Sequence, residues 1–530
     1  MSSGGLRKAE AWLAGFHPSP RAGLLVAFLF GVAVRAIPEL LSYPYPIGFD
    51  TIYYAWRVKE GVVWAHWSSV FGSWLLYALL IPVYNALRVE PFLLLKLAMP
   101  LLFGVCSGGV YYMATKGFGW SVRKGLFAAG LFSFQVAALG ISWHFYRNML
   151  GLGILLFALP WILRDKTELK GLAVFAVLSV LAVFSHEYAS VLLLVSVVAV
   201  VVHHWLKGKR RVVCGVLLAA TPAVAIFGAS VFFRVSPVFE AAPPNVLMAY
   251  GREGHYSGLL FFMTNYLNVF DTVQYYPTYL DLAVSVASLS VVLYLALLPL
   301  AVAGFFRDKV LDAWTVLLCA GAFGCLALPV LALDYWSRWM LMLVFPLTYY
   351  AASGFVRVLK SVKPVAVSFW RLGSLRISWN AARGLMLVSV MSGFVFMTSP
   401  MFFGRGGVFA LPTTVAYIPS TMLSNTVPLG DVDGVVEAFQ WVNTALDGNS
   451  CFLAHDAFFS WTRFSLDGQH TVVFFKNDVY MAVDLAAERG YERFWLVWWN
   501  VDIDWYGFKV PESFIPVYDA GRISVFEYAL

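Results

Sequence analysis

A polytopic α-helical membrane protein of about eleven spans, ending in a small extracytoplasmic α/β domain, follows from three observations. Sixty per cent of the 530 residues are hydrophobic and only 13% are charged, with a mean hydropathy of +0.73. Continuous apolar windows recur along most of the chain, each roughly 20 residues and so long enough to cross a hydrocarbon core of about 30 Å as a helix. Past Phe403 the pattern changes to short alternating helical and strand segments. Spans of a β-barrel would be short and alternating, which these windows are not. The five cysteines carry no metal-ligand spacing and imply no disulfide framework.

Taken in order, the spans fall near 22–41, 92–115, 125–141, 149–163, 171–185, 188–206, 212–233, 281–306, 313–333, 339–356 and 384–403. The first lacks a small-residue cleavage site and reads as an anchor rather than a cleaved signal. Lysine and arginine accumulate in short cytoplasmic loops. With the N-terminus inside, the inner loops collect Lys116, Arg123 and Lys124; Arg164, Lys166 and Lys170; Lys207 to Arg211; Arg307 and Lys309; and a basic segment over 357–383. The net charge of +7 is then a topology signal, and nothing calls for nucleic acid. The apolar stretch 70–87 would reverse every later loop if it crossed. It contains Pro82 and Asn85 and begins with the Trp-rich, Ser-rich lead-in Trp64, Trp67, Ser68, Ser69, Trp74, so it is read as re-entrant or interfacial on the outer face.

Ionisable residues not explained by topology gather on the outer side. The first outer loop, 42–69, carries Asp50 within Gly48-Phe49-Asp50-Thr51-Ile52-Tyr53-Tyr54, together with Arg57, Lys59, Glu60 and His66. Later outer connections carry His144, Arg147 and Asn148; His186 and Glu187; a long segment over 234–278; and Asp334 to Arg338. Charges near a bilayer are costly, so their retention marks a candidate site. Glu240 and Glu253 read as solvated loop charges. The long segment is expected to be mobile and to cover a lateral opening near Asp50.

The domains are therefore 1–403, transmembrane, and 404–530, extracytoplasmic. The tail reads as a helix over 431–446, a strand over 451–454, a short helix over 458–464, a strand over 471–475, a helix over 478–489, and strands over 494–498, 514–518 and 523–527. This order makes a small α/β domain. Trp495, Trp498 and Trp499 read as core and rim of its sheet.

Several of these motifs resemble a known family. An outer loop opening with an acid inside Phe-Asp-x-x-x-Tyr, the 109–163 stretch, the segment DYWSRWMLMLVFPLTYYAASG (334–354) and the tail segment EAFQWVNTALDGNSCFLAHDAFFSW (437–461) occur in the order seen in the oligosaccharyltransferase catalytic subunit. More broadly they resemble the GT-C class of membrane glycosyltransferases. That resemblance implies a GT-C-like transmembrane fold, a polyprenyl-phosphate or pyrophosphate sugar donor such as a dolichyl phosphate, membrane lipid around it, and a glycan or protein acceptor. Two departures stand out. Where oligosaccharyltransferases carry W-W-D-Y-G this chain has Ala454-His455-Asp456-Ala457-Phe458, and the second acidic pair is replaced by Ser142-Trp143-His144-Phe145-Tyr146-Arg147-Asn148.

Sugar transfer from a lipid phosphate must neutralise the departing phosphate while a carboxylate activates or orients the acceptor. Asp50 suits the catalytic base or a metal-ligand role. Asp50, His144, His186 and Glu187 are the candidate ligands of Mg²⁺ or Mn²⁺. Arg338 and Arg147 are the candidate phosphate contacts, since a guanidinium makes a bidentate clamp. Asp456 and His455 are the acceptor-side candidates. Plainer roles compete: Asp50 as the N-cap of a helix starting at Thr51, Arg338 paired with Asp334 or snorkelling, and His186 and Glu187 satisfying one another. A transporter or flippase of a lipid-linked or amphipathic solute is the rival function, with a non-catalytic scaffold as a third. A transporter would call for ionisable groups near the middle of several spans and for paired halves, whereas only Arg35 and Lys96 lie well inside apolar stretches and no repeat is evident. The cell membrane is the expected location.

Overall fold

The computed structural model describes residues 18–64, 67–163, 168–233, 245–249, 279–327, 336–361, 364–369, 373–402, 427–501 and 508–530. The expectations for His66, Asp334, Glu240, Glu253 and most of segment 234–278 lie outside these residues. The membrane part begins with α1 (Pro20–Leu41), α2 (Thr51–Glu60), α3 (Leu75–Leu87), α4 (Pro91–Tyr112), α5 (Val122–Ser133), α6 (Val136–His144) and α7 (Tyr146–Ala158). It continues with α8 (Leu169–Ser185), α9 (Glu187–Leu206), α10 (Arg210–Phe233), α11 (Tyr279–Tyr294), α12 (Leu298–Ala303), α13 (Lys309–Ala327), α14 (Trp336–Met342), α15 (Val344–Lys360) and α16 (Trp379–Phe402). Among the described residues eight helical segments are long and apolar enough to cross a membrane, or nine if α5 and α6 count as one bent span.

Local chemistry sets several starts. Ser19 accepts from the Ala22 amide at 3.2 Å ahead of Pro20, and Glu90 accepts from the Leu93 amide at 2.9 Å ahead of Pro91. Small residues then let α1 and α4 touch. A Cβ on Gly104 would stand 2.8 Å from the Phe28 carbonyl oxygen, and Ser107 donates to the Ala27 carbonyl at 2.9 Å.

The two charged groups noted inside apolar stretches are accounted for by a partner the sequence reading passed over. Buried Glu39 bonds Arg35 at 2.8 Å and Lys96 at 3.0 Å; Lys96 also donates to Ser42 at 2.8 Å, and Arg35 to the Ser142 hydroxyl at 2.9 Å. These charges pay for their own desolvation inside the bundle by pairing.

Three segments differ from their sequence-based form. The segment read as 125–141 is bent by 62° between α5 and α6, where the Gln135 side chain bonds Leu131 and Ser389 and leaves the helix path. The segment read as 281–306 breaks after Tyr294 into α11 and the short α12, ahead of Pro299. The basic segment 357–383 contains an antiparallel hairpin, β2 (Val365–Phe369) with β3 (Gly373–Ile377). Helix α3 has only 13 residues, and both of its ends lie on one side of the bundle. Ser73 before it bonds Glu187 at the start of α9, and Phe92 after it stacks on Phe464 of the tail domain. It does not cross, in keeping with the re-entrant reading. At the opposite end Lys124 reaches Ser353, Lys309 the Leu163 carbonyl and Arg357 the Ala303 carbonyl, so basic loops far apart in sequence share that end.

The tail folds as expected into α17 (Val432–Ala445), β4 (Ser450–His455), α18 (Phe459–Ser465), β5 (Val472–Phe475), α19 (Val479–Ala487), β6 (Arg493–Trp499), β7 (Ile515–Ala520) and β8 (Ile523–Ala529). Its sheet has one strand the sequence did not suggest. β1 (Val246–Met248), from the long outer segment, adds in parallel to β5, giving the order β1-β5-β4-β6-β8-β7. β4, β5 and β6 are parallel, β8 and β7 antiparallel. The near-continuous apolar β4, β5 and β6 are buried along their length, and Trp495, Trp498 and Trp499 are core.

A very close helix contact joins α12 to α15. A Cβ on Gly354 would stand 1.9 Å from the Leu300 carbonyl oxygen, and one on Gly304 2.0 Å from the Gly354 nitrogen. Gly354→Leu is therefore expected to abolish a monodisperse, cooperatively melting protein in detergent. Gly384→Leu, where nothing stands within 4 Å of a new Cβ, should melt within a few degrees of wild type.

Candidate functional site

The loop between α1 and α2 carries Asp50 and is clasped by the junction of α6 and α7. Gly48 has φ of 121°, and a Cβ there would stand 1.6 Å from the Trp143 carbonyl oxygen, so only glycine fits. The Phe49 amide donates to His144 Nδ1 at 2.7 Å. Thr51 Oγ1 donates to the Ile47 carbonyl at 2.7 Å and meets the Tyr146 hydroxyl at 2.8 Å, and that hydroxyl also bonds the Ile47 carbonyl at 3.1 Å. Tyr54 stacks on Tyr146 with ring centres 4.6 Å apart. Contacts from Trp143, His144 and Tyr146, within the turn 143–147, thus hold the first outer loop from 47 to 54.

Asp50 occupies the N-cap position of α2 but makes no side-chain cap hydrogen bond. The plain capping role does not use its carboxylate, which leaves it available in the loop. Burial raises its pKa above the ordinary carboxylate range, while the Arg338 and Arg147 guanidiniums pull it back down. Arg147 also hydrogen-bonds Tyr54, whose hydroxyl burial pushes up to about 12. The Arg338 guanidinium lies 4.7 Å from the centre of the Phe145 ring. The structure therefore brings together Asp50, Arg147 and Arg338, from three separate outer connections. Gly48, Tyr54, Phe145 and Tyr146 complete the arrangement. Of these only Tyr54 stood out in the sequence, in Phe-Asp-x-x-x-Tyr; the rest carry no signal a lone sequence distinguishes from packing.

The four proposed metal ligands are not brought together. His144 spends Nδ1 on the Phe49 amide. His186 Nδ1 caps α9 through the Tyr188 amide at 3.1 Å and lies 3.6 Å from Glu187, whose other oxygen accepts from Ser73 at 2.6 Å. Among the described residues no three His, Cys, Asp or Glu side chains converge on a place for a metal ion. Among the described residues the charged groups that act on Asp50 are both positive. A hard divalent cation prefers several anionic or carbonyl oxygens, so the donor set here does not fit Mg²⁺ or Mn²⁺. The acceptor-side pair lies in the tail domain at the end of β4. His455 is buried against Phe475, Trp498 and Phe508, its Nδ1 accepts from the Ala457 amide at 3.1 Å, and burial lowers its pKa to about 4. That is a packing and capping role. Asp456 beside it is exposed.

The tail domain docks on the Asp50 side of the bundle. Tyr45 donates to Asp433 at 2.8 Å, Lys59 to the Phe464 carbonyl at 2.6 Å, and Arg463 pairs with Glu60 at 2.8 Å. The gap between Tyr45, Gly48, Thr51, Phe92, Val427 and Trp461 holds about 20 Å³, room for about one water.

No protein-family model and no curated protein matches the sequence. Among solved structures the chain is similar to ArnT from Cupriavidus metallidurans bound to undecaprenyl phosphate, at 15% identity and a TM-score of 0.49, over 95% of this chain and 98% of that one. It is also similar to the Archaeoglobus fulgidus oligosaccharyltransferase in the apo form, at 11% identity and 0.48, over 91% and 69%; that protein has also been solved with Zn and sulfate. A third is the mycobacterial arabinofuranosyltransferase AftD, at 12% identity and 0.45, over 97% of this chain and 40% of that one. All are glycosyltransferases of the GT-C type.

Gly48→Ala tests the clasp. A positive-φ strain of about 1–3 kcal/mol adds to the collision with the Trp143 carbonyl, so the melting temperature should fall. Amide exchange should accelerate first in residues 45–54.

Proposed function

We propose that this chain is an integral membrane glycosyltransferase of GT-C type. It transfers a sugar from a polyprenyl-phosphate or pyrophosphate donor to a glycan or protein acceptor on the extracytoplasmic face, where the tail domain lies. The carrying observation is Asp50: a carboxylate not spent on helix capping, with raised pKa, facing two guanidinium groups at the lip of the bundle.

In this reading an acceptor hydroxyl attacks the anomeric carbon while its proton passes to Asp50. The bond between that carbon and the phosphate oxygen breaks, and its electron pair stays on the lipid phosphate. Arg338 and Arg147 stabilise that charge. A raised carboxylate pKa brings the base nearer to the working pH. Arg35 and Lys96, the two charges noted well inside apolar stretches, are paired through Glu39, which weakens the case for a transporter path.

Purified protein supplied with polyprenyl-phosphate and pyrophosphate sugars, with and without Mg²⁺ or Mn²⁺, tests the proposal. Asp50→Asn should lower turnover by about 10²-fold or more and leave donor binding nearly unchanged, and Arg338→Gln should weaken donor binding. Undiminished turnover in Asp50→Asn would remove the assignment.

The pH profile supplies a second check. The base works only when ionised, so activity should fall as pH drops through a pKa above the ordinary carboxylate range. Arg147→Gln removes a cation that favours the ionised form, and its acidic limb should move to still higher pH. A limb that stays in place would separate Arg147 from Asp50.

A further inference from the structure

At the basic end of the bundle, opposite Asp50, two cations from separate helices share one seam. Lys124 stands in the first turn of α5 and donates to the Ser353 hydroxyl of α15 at 3.3 Å. Its ammonium also lies 3.6 Å from the centre of the Trp120 ring. Lys360, the last residue of α15, follows Ser353 by seven residues. Seven residues return it to the same helix face, about 10 Å along the axis at 1.5 Å per residue. The two ammonium groups are close enough to repel one another.

Among the described residues neither lysine has a carboxylate partner. Lys124 is half-buried, and what meets its ammonium is a neutral hydroxyl and an aromatic ring. Cations drawn out of water are ordinarily matched by an anion. Arg357, between Ser353 and Lys360, is spent on the Ala303 carbonyl at 3.1 Å and adds no acid. Topology accounts for basic residues at this end as a class, and snorkelling accounts for a single lysine at a helix end. Neither accounts for two like charges brought from distant stretches of chain onto one face of α15.

The apolar side of the seam is aromatic. Trp120 packs on Phe118 and Phe306 with ring centres 5.8 and 5.7 Å apart, and all three rings are half-buried. It also meets Tyr349, four residues before Ser353 on the same face of α15, at 6.1 Å. Partly exposed aromatics beside cations at the rim of a membrane bundle match a molecule with an anionic head and apolar chains.

We infer that this seam binds an anionic phospholipid of the adjacent leaflet, its phosphate between Lys124 and Lys360 and its glycerol end against the Trp120 ring. Basic pockets between membrane helices hold lipid phosphates in this way. Lipid binding here is independent of the transferase reading, because no step of sugar transfer enters it.

Native mass spectrometry of the full-length chain, released from nanodiscs of phosphatidylcholine with and without phosphatidylglycerol, tests this. The wild type should retain phosphatidylglycerol in preference to phosphatidylcholine. Lys124→Gln combined with Lys360→Gln should weaken that retention by about tenfold or more. Lys207→Gln combined with Arg210→Gln removes equal charge from exposed residues elsewhere at the same end and should leave retention unchanged. Lys124→Arg keeps the charge and should keep the lipid. A melting temperature in pure phosphatidylcholine within a few degrees of wild type verifies that the double variant is folded; Lys360→Gln alone, at an exposed residue, should still weaken retention severalfold. No preference for phosphatidylglycerol, equal loss in the two charge-removal pairs, or displacement of the lipid by inorganic phosphate would each overturn the inference.

Discussion

The clasp of the 47–54 loop by residues 143–147 is the constraint on which the site depends. A carboxylate at the lip of a bundle acts on chemistry only if its backbone is held while its side chain stays uncommitted. The backbone here is held by glycine packing, one amide to His144, and the Thr51 and Tyr146 hydroxyls on the Ile47 carbonyl. Every polar group in that clasp is main chain, hydroxyl or imidazole, and none is the carboxylate itself. The same five residues also deliver Arg147 to Tyr54 and set Phe145 beneath Arg338. Backbone orientation and one of the two cations thus come from a single turn between two helices.

That turn is itself anchored from inside the bundle. Arg35 bonds both the hydroxyl and the carbonyl of Ser142, immediately before the clasp, and is paired with Glu39, which also holds Lys96. A buried charge network of this kind is costly to leave incomplete. It therefore ties α1, α4 and α6 to one arrangement at the end where Asp50 stands. The tail domain closes the same end from outside through Tyr45, Lys59 and Glu60.

The site was legible in the sequence where a residue type was itself out of place. Asp50, Arg147 and Arg338 are charges at the edges of apolar windows, and the structure gathers them. The metal set was read by the same logic and is not gathered, because a histidine at a helix junction is as useful for holding amides as for binding an ion. His144, His186 and His455 all turn Nδ1 to a backbone N–H. Glu39 was passed over although it stands four residues after Arg35, the spacing that pairs side chains on one helix face.

By itself the sequence determined the order of the apolar segments, the basic end of the bundle and nearly every element of the tail. These are properties of hydrophobic period and local charge, which a window of 10–20 residues contains. Only the tertiary structure decided that α3 turns back without crossing, that β1 joins the tail sheet from more than 200 positions upstream, and that Asp50 meets Arg147 and Arg338 rather than other acids. Those outcomes depend on which surfaces pack together across long stretches of chain. Close contacts such as Gly48 on Trp143 or Gly354 on Leu300 select that packing, and no local pattern encodes them.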